Sequence, residues 1–82
     1  MYEIIFSKKA KFQLNKLEHN IQNRIIAVLE RSRIRPQSHF QKLVGENAYR
    51  LKAGDYRVIA DIDRKNISIL VIKIGHRKNI YN

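Results

Sequence analysis

The chain has no cysteine among its 82 residues, which excludes a disulfide framework, a thiolate zinc site and a cysteine nucleophile, and suits a cytoplasmic protein. Acidic side chains are scarce: seven Asp and Glu face 17 Lys and Arg, a formal charge of +10. Charge of one sign at that density repels itself unless a polyanion relieves it. Nucleic acid is therefore the first partner to expect, ahead of an acidic protein or an anionic membrane. With one proline and three glycines there is no linker or low-complexity tract to divide the chain. Gly45, Gly54 and Gly75 stand too far apart for a phosphate-cradling loop, which removes the nucleotide-hydrolysing folds. Long apolar runs are missing as well. The opening Met1–Phe6 turns charged at Lys8, too short for a signal peptide and far short of the roughly 20 residues that cross a bilayer.

Residues suited to metal or acyl chemistry are dispersed. His19, His39 and His76 lie on separate segments and Asp61 and Asp63 are the only close carboxylates, so neither a metal site nor a cofactor is expected. Ser7, Ser32, Ser38 and Ser68 fall at a helix cap, in a helix, in a polar connection and in a strand, with no triad partner beside any of them.

What is present is a core-forming pattern. At 44% hydrophobic residues, residues 1–82 read as one small domain. Tyr2 to Phe6 is a short β-rich run, and Ser7 can cap a helix in which Ala10, Leu14 and Leu17 form one stripe before it stops near His19-Asn20. Asn20 can cap a second helix striped by Ile21, Ile25, Val28 and Leu29, which Pro36 ends by biasing Arg35 away from helical geometry. Residues 37–47 carry no period and read as a connection. From Ala48 the period is two: Tyr49, Leu51 and Ala53 alternate with Arg50 and Lys52, Gly54-Asp55 turns, and Tyr56, Val58, Ala60 and Ile62 follow. After the polar Asp63–Asn66, the apolar run Ile67–Ile74 is expected to be a central strand covered on both faces. The order β-α-α-β-β-β makes an α+β fold, a mostly antiparallel sheet with a two-helix hairpin packed on one face and the other face open.

Function is expected on that open face. Arg50 and Lys52 point the same way from one strand, Arg57 follows the turn, and His76, Arg77, Lys78 and Tyr81 come directly after the last strand. The set would concentrate positive charge where a phosphate could bind. An ordinary solvated basic face is the competing reading. Lys9 and Lys16 on the first helix and Arg24 and Arg31 on the second belong to exposed rows for which a solvated face is the usual explanation and contact with RNA the alternative. Together with Lys78 they are the candidate RNA- or ribosome-binding residues. Tyr49 and Tyr56 share the parity of Leu51 and Val58 and should face the core.

Two segments, Tyr49-Arg50-Leu51-Lys52-Ala53-Gly54-Asp55-Tyr56-Arg57-Val58-Ile59 and Ile74-Gly75-His76-Arg77-Lys78-Asn79-Ile80-Tyr81, carry a family resemblance. The first is similar to the basic strand, glycine turn and Tyr-Arg of the RelE toxins of the RelE/ParE superfamily, and the second to their closing Gly-His-Arg and Tyr. The resemblance spans essentially the whole chain and agrees with the element order. It implies a cytoplasmic toxin of a type II toxin–antitoxin system: an endoribonuclease that cuts messenger RNA in the ribosomal A site without a metal, through attack of a 2′-hydroxyl on the adjacent phosphate. On that resemblance Arg57 would hold the transition-state phosphate, Lys52 would transfer a proton or stabilise charge, Arg50 would assist, Arg77 would stabilise or protonate the leaving oxygen, and Tyr81 would stack on a base. Arg50 stands where some relatives have Lys, and a guanidinium stays charged, so charge stabilisation suits it better than base catalysis. His76 is the residue of the set whose type suits proton transfer near neutral pH, an alternative acid or base. The implied partner is a RelB-like antitoxin, with the toxin monomeric when free and hetero-oligomeric when bound. Two other functions fit the composition: a ParE-like toxin that inhibits a DNA topoisomerase, and a non-catalytic basic RNA- or ribosome-binding module.

Overall fold

The computed structural model describes residues 1–45 and 47–80. Its elements are β1 (Glu3–Phe6), α1 (Lys8–Asn15), α2 (His19–Ser32), a short 3-10 turn (Pro36–Ser38), β2 (Gln41–Lys42), β3 (Tyr49–Ala53), β4 (Tyr56–Asp63) and β5 (Ser68–His76). They form one sheet in the order β1-β5-β4-β3-β2, parallel between β1 and β5 and antiparallel elsewhere. The α+β architecture is the one expected, with a fifth strand added.

Local chemistry explains where the elements stop. Ser7 is extended, and its Oγ accepts the Ala10 N–H at 3.0 Å while donating to the Ile72 carbonyl at 2.7 Å, which caps α1 and ties it to β5. α1 ends at Asn15, short of His19, because the chain tightens there. The N–H groups of Lys16 and Leu17 turn back to Gln13 and Leu14, and Gln22 Nε2 donates to the Leu17 carbonyl at 2.8 Å. Glu18, not Asn20, takes the N-cap position of α2, without a side-chain cap bond. Pro36 does not end α2 either. The helix closes at Ser32 because the chain is drawn to the start of β1: Arg33 accepts the Tyr2 N–H at 2.8 Å and its Nε donates to the Tyr2 carbonyl at 2.8 Å. Pro36 instead opens the 3-10 turn, where its missing N–H costs nothing.

Both helices pack on one face, over Leu51, Val58, Ala60, Ile69, Val71 and Ile74, and bury Ala10, Leu14, Ile25 and Leu29 against them. Tyr49 and Tyr56 are partly buried against this core, as their parity requires. β5 lies inside the sheet but is not covered on both faces: Leu70 and Ile72 remain 39% and 37% exposed on the side away from the helices. An irregularity shapes β5, since Ala60 pairs with Val71 while Ile59 pairs with Lys73, leaving Ile72 over. The extra residue changes the parity of the strand, so Ile69, Val71 and Ile74 all reach the core. Gln13 Oε1 accepts the Ile74 N–H at 2.7 Å, a second tie between α1 and β5.

Candidate functional site

The site is built on the β3–β4 hairpin. Gly54 takes φ +64 in the two-residue Gly54-Asp55 turn, a conformation that a side chain would strain. The turn fixes the register: Lys52 pairs with Arg57, Arg50 with Ile59, and Arg57 in turn with Gly75 of β5. Cross-strand partners share a face, so Lys52, Arg57 and Gly75 form one row on the open side of the sheet. Gln41, Arg50, Ile59 and Lys73 form the next.

The chain beyond β5 folds back onto this side because Gly75 has no side chain. A Cβ there would stand 3.0 Å from Ile80 Cδ1, and Ile80 is buried over it. Arg77 N–H donates to the Asp55 carbonyl at 2.8 Å, its Nε lies 3.7 Å from Asp55 Oδ1, and Asn79 N–H closes a turn on the His76 carbonyl at 2.8 Å. The result is a cleft of about 380 Å³ whose described lining residues, Arg50, Lys52, Arg57, Arg77 and Lys78, are all cations.

Each cation is held differently. Arg57 Nη1 donates to the Gly54 carbonyl at 2.9 Å and the Tyr56 carbonyl at 3.0 Å, which fixes the guanidinium without neutralising it. Arg50 Nη2 donates to Gln41 Oε1 at 2.8 Å, so β2 serves to orient a cleft residue. Arg77 is 55% exposed and only loosely paired with Asp55. Lys52 is exposed and makes no hydrogen bond or ion pair among the described residues.

His76 is not in the cleft. It pairs with Tyr56, and the two rings meet edge to face at 5.3 Å and 77°. Strand alternation thus puts Gly75 on Arg57's face and His76 with the core-facing tyrosine. Its Nδ1 accepts the Lys78 N–H at 3.2 Å, anchoring the turn that carries Arg77 and Lys78. Tyr81 lies outside the described residues. Lys9 and Lys16 are away from the cleft lining, and Lys16 Nζ rests 4.7 Å from the centre of the Phe12 ring. Arg24 and Arg31 instead flank Lys52 in a neighbouring groove. Among the described residues no three His, Asp or Glu side chains come together, and no helix is long and apolar enough to cross a membrane.

Sequence reasoning missed three contributors. Gln41 lies in a two-residue strand with no pattern to read, and Asp55 looked like a turn residue only. Gly75 could have been found, since it occupies the cleft-facing parity between Ile74 and His76 and leaves room for a returning side chain.

The sequence profile of the ParE toxin of type II toxin-antitoxin system, parDE, matches residues 4–81. No curated protein matches the chain in sequence. Among solved structures, the toxin–antitoxin complex RelBE2 from Mycobacterium tuberculosis is similar at 23% identity and a TM-score of 0.80, over 93% of this chain and 98% of that one. The isolated E. coli RelE toxin is similar at 21% identity and a TM-score of 0.80, over 93% of this chain and 84% of that one. The RelB-RelE antitoxin-toxin complex from Methanococcus jannaschii is similar at 25% identity and a TM-score of 0.71, over 94% of each chain. The fold described above is thus shared with the RelE toxins.

Proposed function

The chain belongs to the family of ParE toxins of type II toxin–antitoxin systems, within the RelE/ParE superfamily, and on that premise we propose that it is a cytoplasmic endoribonuclease that cuts messenger RNA in the ribosomal A site without a metal. One observation carries the reading: Lys52 and Arg57 are cross-strand partners in a cleft that Arg77 closes, and every described residue lining it is a cation. In the proposed reaction the 2′-hydroxyl of one nucleotide attacks the following phosphorus and loses its proton. The bond to the 5′-oxygen breaks, and that oxygen takes up a proton. The products are a 2′,3′-cyclic phosphate upstream and a 5′-hydroxyl downstream. Negative charge grows on the phosphorane oxygens, and fixed cations stabilise it most when they need no reorganisation. Arg57, held by two carbonyls, suits the phosphorane, and Arg77 the leaving oxygen. Lys52, opposite Arg57, transfers a proton or stabilises charge, and Arg50 adds to the field. Binding to a RelB-like antitoxin would hold the toxin inactive, since an acidic partner is what a chain of +10 attracts.

The test is growth arrest. Expression without the antitoxin should arrest cells, and Arg57→Ala and Arg77→Ala should each relieve the arrest while keeping the far-UV circular dichroism of the parent; arrest surviving both changes contradicts the site. The description of the matching family favours a second reading, a toxin that inhibits a DNA topoisomerase and cuts nothing. It would show as topoisomerase inhibition by purified toxin with messages left intact.

A further inference from the structure

The cationic surface does not stop at the cleft. β2 pairs with β3 only as far as Arg50, so that among the described residues no strand covers the Leu51–Ala53 edge, and α2 lies beside it. Lys52 stands on that edge. It lines the cleft on one side and, on the other, a groove of about 480 Å³ shared with Arg24, Ala27, Val28, Arg31 and Gly54. A second depression of about 450 Å³ also joins Arg31 to Arg50 and Lys52.

The β3–β4 turn makes the same connection independently. Arg24 lies so close over Gly54 that a Cβ there would stand 2.6 Å from Arg24 Nη1, while Arg57 Nη1 reaches the Gly54 carbonyl from the cleft side at 2.9 Å. Two guanidinium groups therefore converge on one glycine from opposite faces of the sheet. Arg24 and Arg31 make no hydrogen bond or ion pair among the described residues, whereas Arg33 on the same stretch is neutralised by Glu30 at 2.9 Å. Arg24, Arg31 and Lys52, none with a hydrogen bond or ion pair among the described residues, carry the cationic surface around the sheet edge, which fits a linear polyanion better than a single phosphate.

We infer that the groove of Arg24, Arg31 and Lys52 holds the phosphate backbone of the same RNA strand that enters the cleft, so that the strand crosses the sheet edge at Lys52 and continues onto α2. The inference rests on the reading of the cleft as an RNA site and adds the path of the substrate beyond it. The path makes part of the affinity depend on strand length. A short strand fills the cleft alone, and only a longer one gains the α2 cations.

The experiment measures binding of purified toxin to 2′-O-methyl RNA oligonucleotides, which the proposed reaction cannot cut, of about three and about ten nucleotides, across a salt series. The longer probe should bind more tightly. Changing Arg24 and Arg31 together to Gln should flatten its salt dependence by about 1.4 and weaken it roughly 25-fold at 0.1 M salt, since each lost single-strand phosphate contact removes about 0.7 from the logarithmic slope. The short probe should be unaffected. Arg64→Gln with Lys65→Gln, an equal loss of charge on the β4–β5 turn, should leave both probes nearly unchanged. Equal binding of the two probes, an equal loss with the turn variant, or no loss with the α2 variant would overturn the path and leave the α2 face to another partner. Cleavage on ribosomes is scored separately: a toxin that cuts but lacks the length effect keeps the nuclease reading and loses the path, and the reverse result keeps the path and loses the nuclease.

Discussion

Lys52 and Arg57 face one another because the two-residue Gly54-Asp55 turn pairs Ala53 with Tyr56 and therefore Lys52 with Arg57, and this much is visible in the alternation of Tyr49–Ala53 and Tyr56–Ile62. The position of His76 off the cleft lining was equally available from alternation, since Gly75 takes the cleft-facing position, but a histidine beside two cations suggests chemistry more readily than support. At this scale the account predicts that Arg57→Ala lowers ribosome-dependent cleavage by about 10²–10³-fold, the cost of losing one fixed donor from a developing anion, as read from single-turnover rates. His76→Ala should cost less, because it loosens the turn bearing Arg77 and Lys78 without removing a cation; an equal or larger loss would return His76 to the chemistry. Gly75→Ala, whose Cβ would stand 3.0 Å from Ile80 Cδ1, should displace Ile80 and with it the arm. Cleavage should fall about tenfold or more, and the double change with Ile80→Ala should be no worse than Ile80→Ala alone.

The boundaries of the elements were legible where a local residue sets them and obscure where a distant one does. Ser7 caps α1 as its type and position suggest, whereas α2 stops at Ser32 because Tyr2 takes up Arg33, a contact across 31 positions that no window of sequence contains. β2 escaped because two residues have no period, and its value lies in what it does for Arg50. The β4–β5 turn offers two tests. Ile67 adopts φ +51, a conformation that costs a β-branched residue about 1–2 kcal/mol, so Ile67→Gly should recover part of that cost in urea unfolding. Asp63, in the same turn, has its carboxyl held below the ordinary value by the Asn66 N–H and side chain and, in smaller part, by the Lys65 N–H. A lowered folded-state pKa contributes stability above the unfolded value and loses it as pH falls through the folded one. The difference in melting temperature between parent and Asp63→Ala should therefore be constant near neutrality and shrink in acid, below the usual aspartate range.

For the molecule as a whole, charge and topology point to one face. The helices spend their apolar sides on one side of the sheet, and the other side gathers five cations around a cleft. An excess of ten positive charges supports polyanion binding, and RNA cleavage and topoisomerase inhibition are separated by assay. The measurement that separates them most directly translates a defined message on purified ribosomes with and without the toxin, omits ribosomes as a control, and maps the RNA ends by primer extension. The account predicts breaks within the A-site codon, only on ribosomes, with a 5′-hydroxyl on the downstream fragment and a 2′,3′-cyclic phosphate on the upstream one. An intact message from folded toxin on compatible ribosomes would contradict it.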